Sequence, residues 1–246
     1  MNIVVVLPTY NEKENVLVLI PQLLDVFLKI KRHHCSILVV DDSSPDGTAP
    51  VVKRLQKKYN NIFLISGRKE GLGVAYVRGF RYAMEKLHAD IFVMMDADLS
   101  HPASLIPSLV AALDHGRDLA IGCRYIPGGA TPDWNWKRKL ISRCGNFFAR
   151  VVAGLYSVHD CTSGFRAIRV SVFKKIHTSE LHSKGYAFVI TLLYELLHAH
   201  ASLQEIPLVF YDRKYGETKL KAHDMIAFFF NTFRLRWKTI ITQIKN

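Results

Sequence analysis

The sequence predicts an α/β protein built on a mostly parallel sheet flanked by helices. Three observations carry this reading. Short β-branched apolar runs recur at regular intervals through the first half of the chain. Stretches with helical apolar spacing separate them. The runs are continuous rather than alternating, as in strands buried on both faces of a parallel sheet. Such alternation implies right-handed crossovers, with ligands at the carboxyl ends of the strands.

The strand candidates are 3–7, 37–40, 62–65, 91–95 and 119–123. Between them, 15–30 carries Leu19, Leu23, Val26, Phe27 and Ile30 at helical spacing, and 48–59 and 75–87 are two further helices. From Gly128 the pattern changes. Gly128, Gly129 and Pro132 mark a loop with Trp134 and Trp136. A helix-like stretch follows, with Leu140, Cys144, Phe147, Val151 and Leu155 on one side and Lys137, Arg138, Lys139, Arg143 and Arg150 around it. A later strand is expected at 206–210. The last helix, 224–245, carries a stripe of Ile226, Phe230, Phe233, Trp237, Ile240 and Ile244. The expected division is one domain over 1–222 and an amphipathic helical appendage over 223–246.

Composition narrows the class. The chain has 246 residues, 49% hydrophobic and 22% charged, which disfavours disorder, collagen and disulfide scaffolds. Cys35, Cys123, Cys144 and Cys161 form no C-x-x-C pair, so neither a zinc site nor a redox motif is visible, and reduced thiols fit best. The apolar run at 3–7 is too short for a secretory signal and has no basic flank before it. No apolar stretch reaches the ~18 residues of a membrane span. The richest, 225–233, is followed at once by Arg234, Arg236 and Lys238. A net charge of +12 points to a polyanionic partner: nucleic acid, a phosphorylated ligand or an anionic membrane.

The chemistry-bearing residues stand just after the strands. Neither Pro8-Thr9-Tyr10-Asn11-Glu12 nor Gly71-Leu72-Gly73 completes G-x-G-x-x-G, and no Walker A sequence is present. The second strand runs into Asp41-Asp42-Ser43-Ser44-Pro45-Asp46-Gly47-Thr48. There Asp46 and Thr48 read as helix-capping residues and Asp42 as the better ligand contact. After 91–95 comes Asp96-Ala97-Asp98-Leu99-Ser100-His101-Pro102. In extended backbone residues two apart share a side, so Asp96 and Asp98 reach one cation together. Hard oxygen ligands favour Mg²⁺ or Mn²⁺, ions that keep waters and bind substrate phosphates. Ser100 reads as a cap for the next helix, with Pro102 near its first position. Arg124, Arg138, Lys139, Arg213 and Lys219 are a set of cations that could meet phosphates, each taken alone reading rather as a surface charge, with Arg213 and Lys219 gaining weight because they flank Tyr215-Gly216-Glu217-Thr218. Asp160-Cys161-Thr162-Ser163-Gly164-Phe165-Arg166 reads as a polar loop, with Asp160 open to a role as base.

Taken in order, these motifs resemble the GT-A fold glycosyltransferases of family 2. With Gly122-Cys123-Arg124-Tyr125, the segment 136–143, Thr162-Ser163-Gly164-Phe165-Arg166 and 212–219, they resemble its polyprenol-phosphate (dolichyl-phosphate) mannose synthases over essentially the whole chain. The resemblance implies inverting, metal-dependent transfer of mannose from GDP-mannose to a polyprenyl or dolichyl phosphate, giving a β-linked sugar phosphate. It implies that Pro8, Tyr10, Glu12, Val40 and Asp42 hold the guanosine. Asp96 and Asp98 would bind Mg²⁺ or Mn²⁺ and, with Ala97, touch the donor. Arg124, Arg213 and Lys219 would meet phosphate, with Asp96, Asp98 and Arg124 as the catalytic set. Arg138 and Ser142 would contact the acceptor phosphate. It further implies a peripheral enzyme on the cytoplasmic face of a membrane, bound to the membrane surface and open to a small membrane-protein partner. The chain departs from the family after Gly185-Tyr186-Ala187-Phe188, where Val189-Ile190-Thr191 replaces the usual Gln and Glu, so that Thr191 stands in for an acid of the sugar site. The competing readings are a UDP-glucose-dependent polyprenyl-phosphate glucosyltransferase and a non-catalytic basic membrane-surface module. No recognition-helix or RNP-like pattern supports nucleic acid.

Overall fold

In the computed structural model, residues 1–182, 185–213 and 222–245 are described; for 182, 185–186, 222–225 and 239–245 the description is of the backbone alone. Strands β1 (Asn2–Thr9), β2 (His34–Asp41), β3 (Ile62–Ser66), β4 (Ile91–Met94), β5 (Leu119–Cys123), β6 (Arg166–Arg169) and β7 (Leu203–Pro207) form one sheet in the order β3-β2-β1-β4-β6-β5-β7. Helices α1 (Lys13–Phe27), α2 (Thr48–Gln56), α3 (Leu72–Lys86), α4 (Ile106–Asp114), α5 (Trp136–Val152), α6 (Val170–Phe173), α7 (Gly185–His198) and α8 (Ala222–Lys245) surround it. All neighbouring strands pair in parallel except β6, which runs antiparallel to both β4 and β5.

The five early strands stand where the apolar runs place them. Side chains alternate across the sheet. Val4 and Val6 of β1 join a core with Tyr76 and Phe80 of α3 and Phe188 of α7. Ile3, Val5 and Leu7 join the opposite core with Leu19 and Leu23 of α1 and Leu109 of α4. Two cores on one sheet leave no polar face, and this is why the runs are continuous.

Gly79 of α3 lies hard on the sheet. A Cβ there would stand 2.6 Å from Val6 Cγ1 and 2.8 Å from Val40 Cγ2. Gly79→Leu is therefore expected to overpack this seam and cost about 1–3 kcal/mol or more, read as a lower urea midpoint at unchanged slope.

Several expectations need correction. The sixth strand, β6, was not expected. The strand expected at 206–210 is β7 at Leu203–Pro207, followed by a single bridge between Ala130 and Val209. The helix-like stretch expected after the tryptophans is α5, which begins at Trp136 itself and is capped by Asn135, whose side chain accepts from the Arg138 N–H. Ser100 caps no helix. Its hydroxyl donates to Asp98 Oδ1 at 2.5 Å, while α4 starts at Ile106 behind a 3-10 turn at Ala103–Leu105. Asp46 and Thr48 do meet at the start of α2, where Asp46 Oδ1 accepts from the Thr48 N–H at 3.0 Å. Asp46 Oδ2 also accepts from the Lys13 N–H at 3.0 Å, so one carboxylate serves two helix starts.

The helix α8 packs on α7 and α5 through Phe228, Thr232 and Leu235, which are buried. Lys238 reaches Glu195 of α7 at 2.7 Å, and Phe148 of α5 meets the rings of Phe229 and Phe233. The stripe read from the sequence is the opposite face: Ile226, Phe230, Phe233 and Trp237 are exposed, Phe230 by 74%. The side chains of Ile240 and Ile244 lie outside the description. Among the described residues no helix is long and apolar enough to cross a membrane.

Candidate active site

The strand order reverses between β1 and β4. Chain from β1 passes to β2 on one side, and β4 lies on the other. Crevices open at such points beyond the carboxyl ends of the strands. Here a cleft of about 310 Å³ opens. Pro8, Thr9, Tyr10 and Glu12 line it from the end of β1, and Asp42 from the end of β2. Asp96, Ala97, Asp98 and His101 come from beyond β4, Arg124 from beyond β5, and Arg213 from the far side.

The nucleotide end is built by interlocked turns. Thr9 Oγ1 donates to Asp41 Oδ1 at 2.9 Å, and Asp41 Oδ2 accepts the Ser44 N–H at 2.9 Å, so Asp41 is wholly structural. Its neighbour Asp42 faces the cleft and pairs with Arg78 of α3. Burial raises the Asp42 pKa by more than the Arg78 hydrogen bond and charge lower it. Glu12 is buried and accepts from Asn15 Nδ2 at 2.6 Å. Lys69 stands over the Tyr10 ring with its Nζ 3.4 Å from the centroid, an arrangement no local motif announced. Val40, expected here, is wholly buried in β2, and its side chain packs in the core rather than lining the cleft.

Asp96 and Asp98 share the cleft, although in a bend beyond β4 rather than in extended strand; Leu99 takes φ 65° to close it. Asp98 Oδ1 is held by the Ser100 N–H and hydroxyl, and its Oδ2 stands 3.5 Å from Arg213 Nη2. Asp96 is the more open carboxylate. His101 supports it from beneath: the Asp96 N–H donates to His101 Nδ1 at 3.1 Å. Burial, with Arg124 nearby, pushes the His101 pKa down to about 4 against the pull of Asp98, so the ring is neutral with its proton on Nε2. Phe165 stacks on it at 4.9 Å.

Among the described residues, no cluster of three or more His, Cys, Asp and Glu is placed to hold a metal ion. The two neighbouring carboxylates Asp96 and Asp98 nevertheless fit Mg²⁺ or Mn²⁺, which take one or two protein carboxylates and draw their other ligands from water and substrate phosphates.

The floor is a buried ion pair. Arg124 Nε and Nη2 donate to Asp160 Oδ2 and Oδ1, each at 2.7 Å, and Nη2 also reaches Thr162 Oγ1. Burial alone would raise the Asp160 pKa, but the Arg124 charge and hydrogen bonds hold it below the usual carboxylate range. With both oxygens engaged by Arg124, Asp160 anchors that residue, and the reading of Asp160 as a base is set aside. Behind this pair Arg166 donates to the carbonyls of Ser163, Cys161 and Val189. Burial lowers its pKa to about 10, leaving it charged at neutral pH. It fixes the Thr162-Ser163-Gly164 wall, where a Cβ on Gly164 would stand 3.9 Å from Asp96 Oδ2.

The expected acceptor residues stand beside the cleft. Arg138 pairs with Asp212 at 2.6 Å and lies over Trp134, whose indole N–H donates to the same carboxylate. Asp212 immediately precedes Arg213. Ser142 bonds the Tyr125 hydroxyl at 2.6 Å. Lys219 lies outside the described residues. Thr191 does not face the cleft: it donates to Ala187 O at 2.7 Å and accepts from Asn231 of α8, while Val189 lines the cleft instead.

A GT-A sheet with paired acids at its switch point and cations opposite defines a glycosyltransferase. The model of the glycosyl transferase family 2 matches residues 4–177, and the chain belongs to that family. It is 37% identical over 226 residues to the polyprenol monophosphomannose synthase of Mycolicibacterium smegmatis, covering 90% of this chain and 82% of that one. It is 34% identical over 221 residues to the undecaprenyl-phosphate mannosyltransferase of Micrococcus luteus, covering 89% and 88%. The fold is similar to that of mannosyl-3-phosphoglycerate synthase from Rubrobacter xylanophilus, with a TM-score of 0.69 at 17% identity over 100% of this chain and 76% of that one. It is also similar to glucosyl-3-phosphoglycerate synthase from Mycobacterium tuberculosis, solved with Mn²⁺ and UDP-glucose, with a TM-score of 0.61 at 19% identity over 89% and 72%.

Proposed function

We propose that the chain transfers mannose from GDP-mannose to a polyprenyl phosphate, with inversion and with a divalent metal, at the cytoplasmic face of a membrane. The observation that carries the reading is the cleft itself. It sets Asp96 and Asp98 against Arg213 over the fixed Arg124–Asp160 floor. The names of the two relatives supply the sugar and the acceptor class.

In a single displacement an acceptor phosphate oxygen bonds to the anomeric carbon while the bond from that carbon to GDP breaks, and the electron pair leaves with GDP. A phosphomonoester has a second pKa of about 6, so it arrives largely ionised and needs no strong base. This agrees with a site whose buried carboxylate is spent on Arg124 and whose histidine is neutral and stacked. The chain supplies position and fixed charge. Tyr10, Glu12 and Asp42 hold the nucleoside, and Arg213 meets the diphosphate. Arg138 and Ser142 stand on the acceptor side. Mg²⁺ or Mn²⁺ on Asp96 and Asp98, when bound, neutralises the diphosphate as a Lewis acid.

The membrane part of the reading rests on α5 and α8. Trp136, Leu140, Ile141 and Phe147 of α5 and Phe230 and Trp237 of α8 are exposed on two helices that pack together and carry cations, as interfacial helices do.

The test is incubation with labelled GDP-mannose, Mg²⁺ or Mn²⁺ and a polyprenyl phosphate. Label in the lipid phase is expected, and transfer from UDP-glucose instead would overturn the donor assignment. Arg213→Ala is expected to raise the KM for the donor about tenfold or more, the loss of one charge-assisted contact. An unchanged KM and rate would remove Arg213 from the site.

A further inference from the structure

Apart from the cleft, the fold carries a second cavity of about 410 Å³ between α5 and the turns that follow β5 and precede β6. It shares Arg124 with the cleft, and its other walls include Tyr125, Arg143, Asn146, Phe147, Arg150 and His159. Nothing in the proposed transfer uses the four residues of α5 that line it.

The cavity is a built feature. Asn146 is buried and ties α5 to the opposite turn, donating from Nδ2 to the His159 carbonyl and accepting the Cys161 N–H at 2.8 Å. Arg143 and Arg150 are seven residues apart, two helical turns, and so share one face of α5 about 10 Å apart along its axis. Arg143 has no ion-pair partner among the described residues. Arg150 donates from Nη2 to the Tyr156 carbonyl at 3.1 Å, and its Nε–H has no partner. His159 Nδ1 stands 2.6 Å from Glu205 Oε2, and the other Glu205 oxygen accepts the His159 and Asp160 N–H groups at 2.9 Å. The nearby carboxylate is thus spent on the turn, leaving two arginines facing the space without acids of their own.

The mouth of the cavity adjoins an apolar surface. Phe147, midway between the two arginines, lines the cavity and is 65% exposed, on a helix that also exposes Leu140, Ile141 and Val151. A basic recess opening on an exposed apolar helix face matches one ligand chemistry: a phosphate with a hydrocarbon tail. Arginine forks suit the phosphate, and the Phe147 side suits the chain.

We infer that this cavity holds the phosphate of an anionic phospholipid of the host membrane, separate from the polyprenyl phosphate that reacts. The inference rests on the proposal that α5 and α8 lie on a membrane, and it names the lipid class they select. It sets α5 at a fixed depth, with Arg143 and Arg150 at the level of the phosphates and Phe147 below them.

The test is flotation of the full chain with vesicles of phosphatidylcholine alone and of phosphatidylcholine mixed with phosphatidylglycerol. The wild type is expected to bind the mixed vesicles about tenfold or more tightly. Arg143→Gln/Arg150→Gln is expected to bind both kinds alike, at the strength the wild type shows for neutral vesicles. Lys137→Gln/Lys139→Gln removes two cations of α5 that do not line the cavity and is expected to keep most of the preference. Arg143→Gln alone, at an exposed side chain with no ion pair among the described residues, is expected to lose part of it and guards against misfolding of the double variant. Turnover of a short, water-soluble isoprenyl phosphate without vesicles is expected to stay unchanged in Arg143→Gln. Equal losses in the two double variants would overturn the inference in favour of diffuse charge. A fall in turnover of the soluble acceptor would overturn it by assigning the cavity to the reacting phosphate. Equal wild-type binding to both kinds of vesicle would overturn it while leaving the membrane reading intact. Failure to bind any vesicle would overturn both.

Discussion

Asp98→Ala is expected to lower mannosyl transfer about a thousandfold or more while leaving the protein folded. Asp98 is nearly buried at the mouth of the β1–β4 crevice, and three neighbours converge on it: the Ser100 N–H, the Ser100 hydroxyl and Arg213. Its removal deletes one of two carboxylates available to a divalent ion and releases Arg213 from its resting partner. Asp96→Ala is expected to lose turnover similarly, since it removes the more open carboxylate. Two measurements check this. Steady-state rates across a Mg²⁺ or Mn²⁺ titration report the chemistry. Thermal melting with metal and GDP reports the site without turnover: stabilisation is expected in the wild type and is expected to vanish in both variants. Near-wild-type rates in either would remove the pair from the reaction.

Asp160→Asn is expected to produce the largest loss of stability. The pair it breaks is buried on both sides, with Asp160 inaccessible and Arg124 nearly so. Removing one partner of such a pair leaves a desolvated charge, a loss of about 3–5 kcal/mol. The pH dependence carries a signature. The Asp160 pKa is depressed in the fold, so its contribution is complete above the ordinary aspartate value of about 3.9 and is lost as pH falls through the lower folded value. Urea unfolding from pH 6 downward is expected to show wild-type stability falling below about pH 4, with a shallower fall in Asp160→Asn. Parallel curves would show that the pair contributes nothing specific to acid unfolding. Turnover is expected to fall as well, since Arg124 loses the carboxylate that aims it.

What the sequence makes legible follows from how local each feature is. The first five strands are readable because burial on both faces writes an unbroken apolar run. The strand β6 is four residues, Arg166-Ala-Ile-Arg169, with a charged residue at each end, and its burial depends on neighbours on both sides. No local pattern distinguishes that from a loop. The helix α7 is buried nearly all round from Ala187 to Leu196, so it lacks the polar face by which an amphipathic helix is recognised. In the site, the acids after β2 and β4 are readable by position. Their supports are not: Arg124 meets Asp160 across 36 residues and Arg138 meets Asp212 across 74. Ser100 shows the opposite failure. A local rule assigned it to a helix cap, while the turn at Leu99 aims its hydroxyl back at Asp98.

The antiparallel β6 also bears on how the chain folds as it is made. The β4 strand, Ile91–Met94, is wholly buried and pairs with β1 on one side and β6 on the other. Until residue 169 has been synthesised, one of its edges is an open row of apolar residues and unpaired backbone groups, the template on which chains aggregate. The acids that follow it wait on the same event, because Gly164 and the wall opposite Asp96 arrive with β6. One late strand therefore both protects the nascent sheet from its neighbours and completes the cleft.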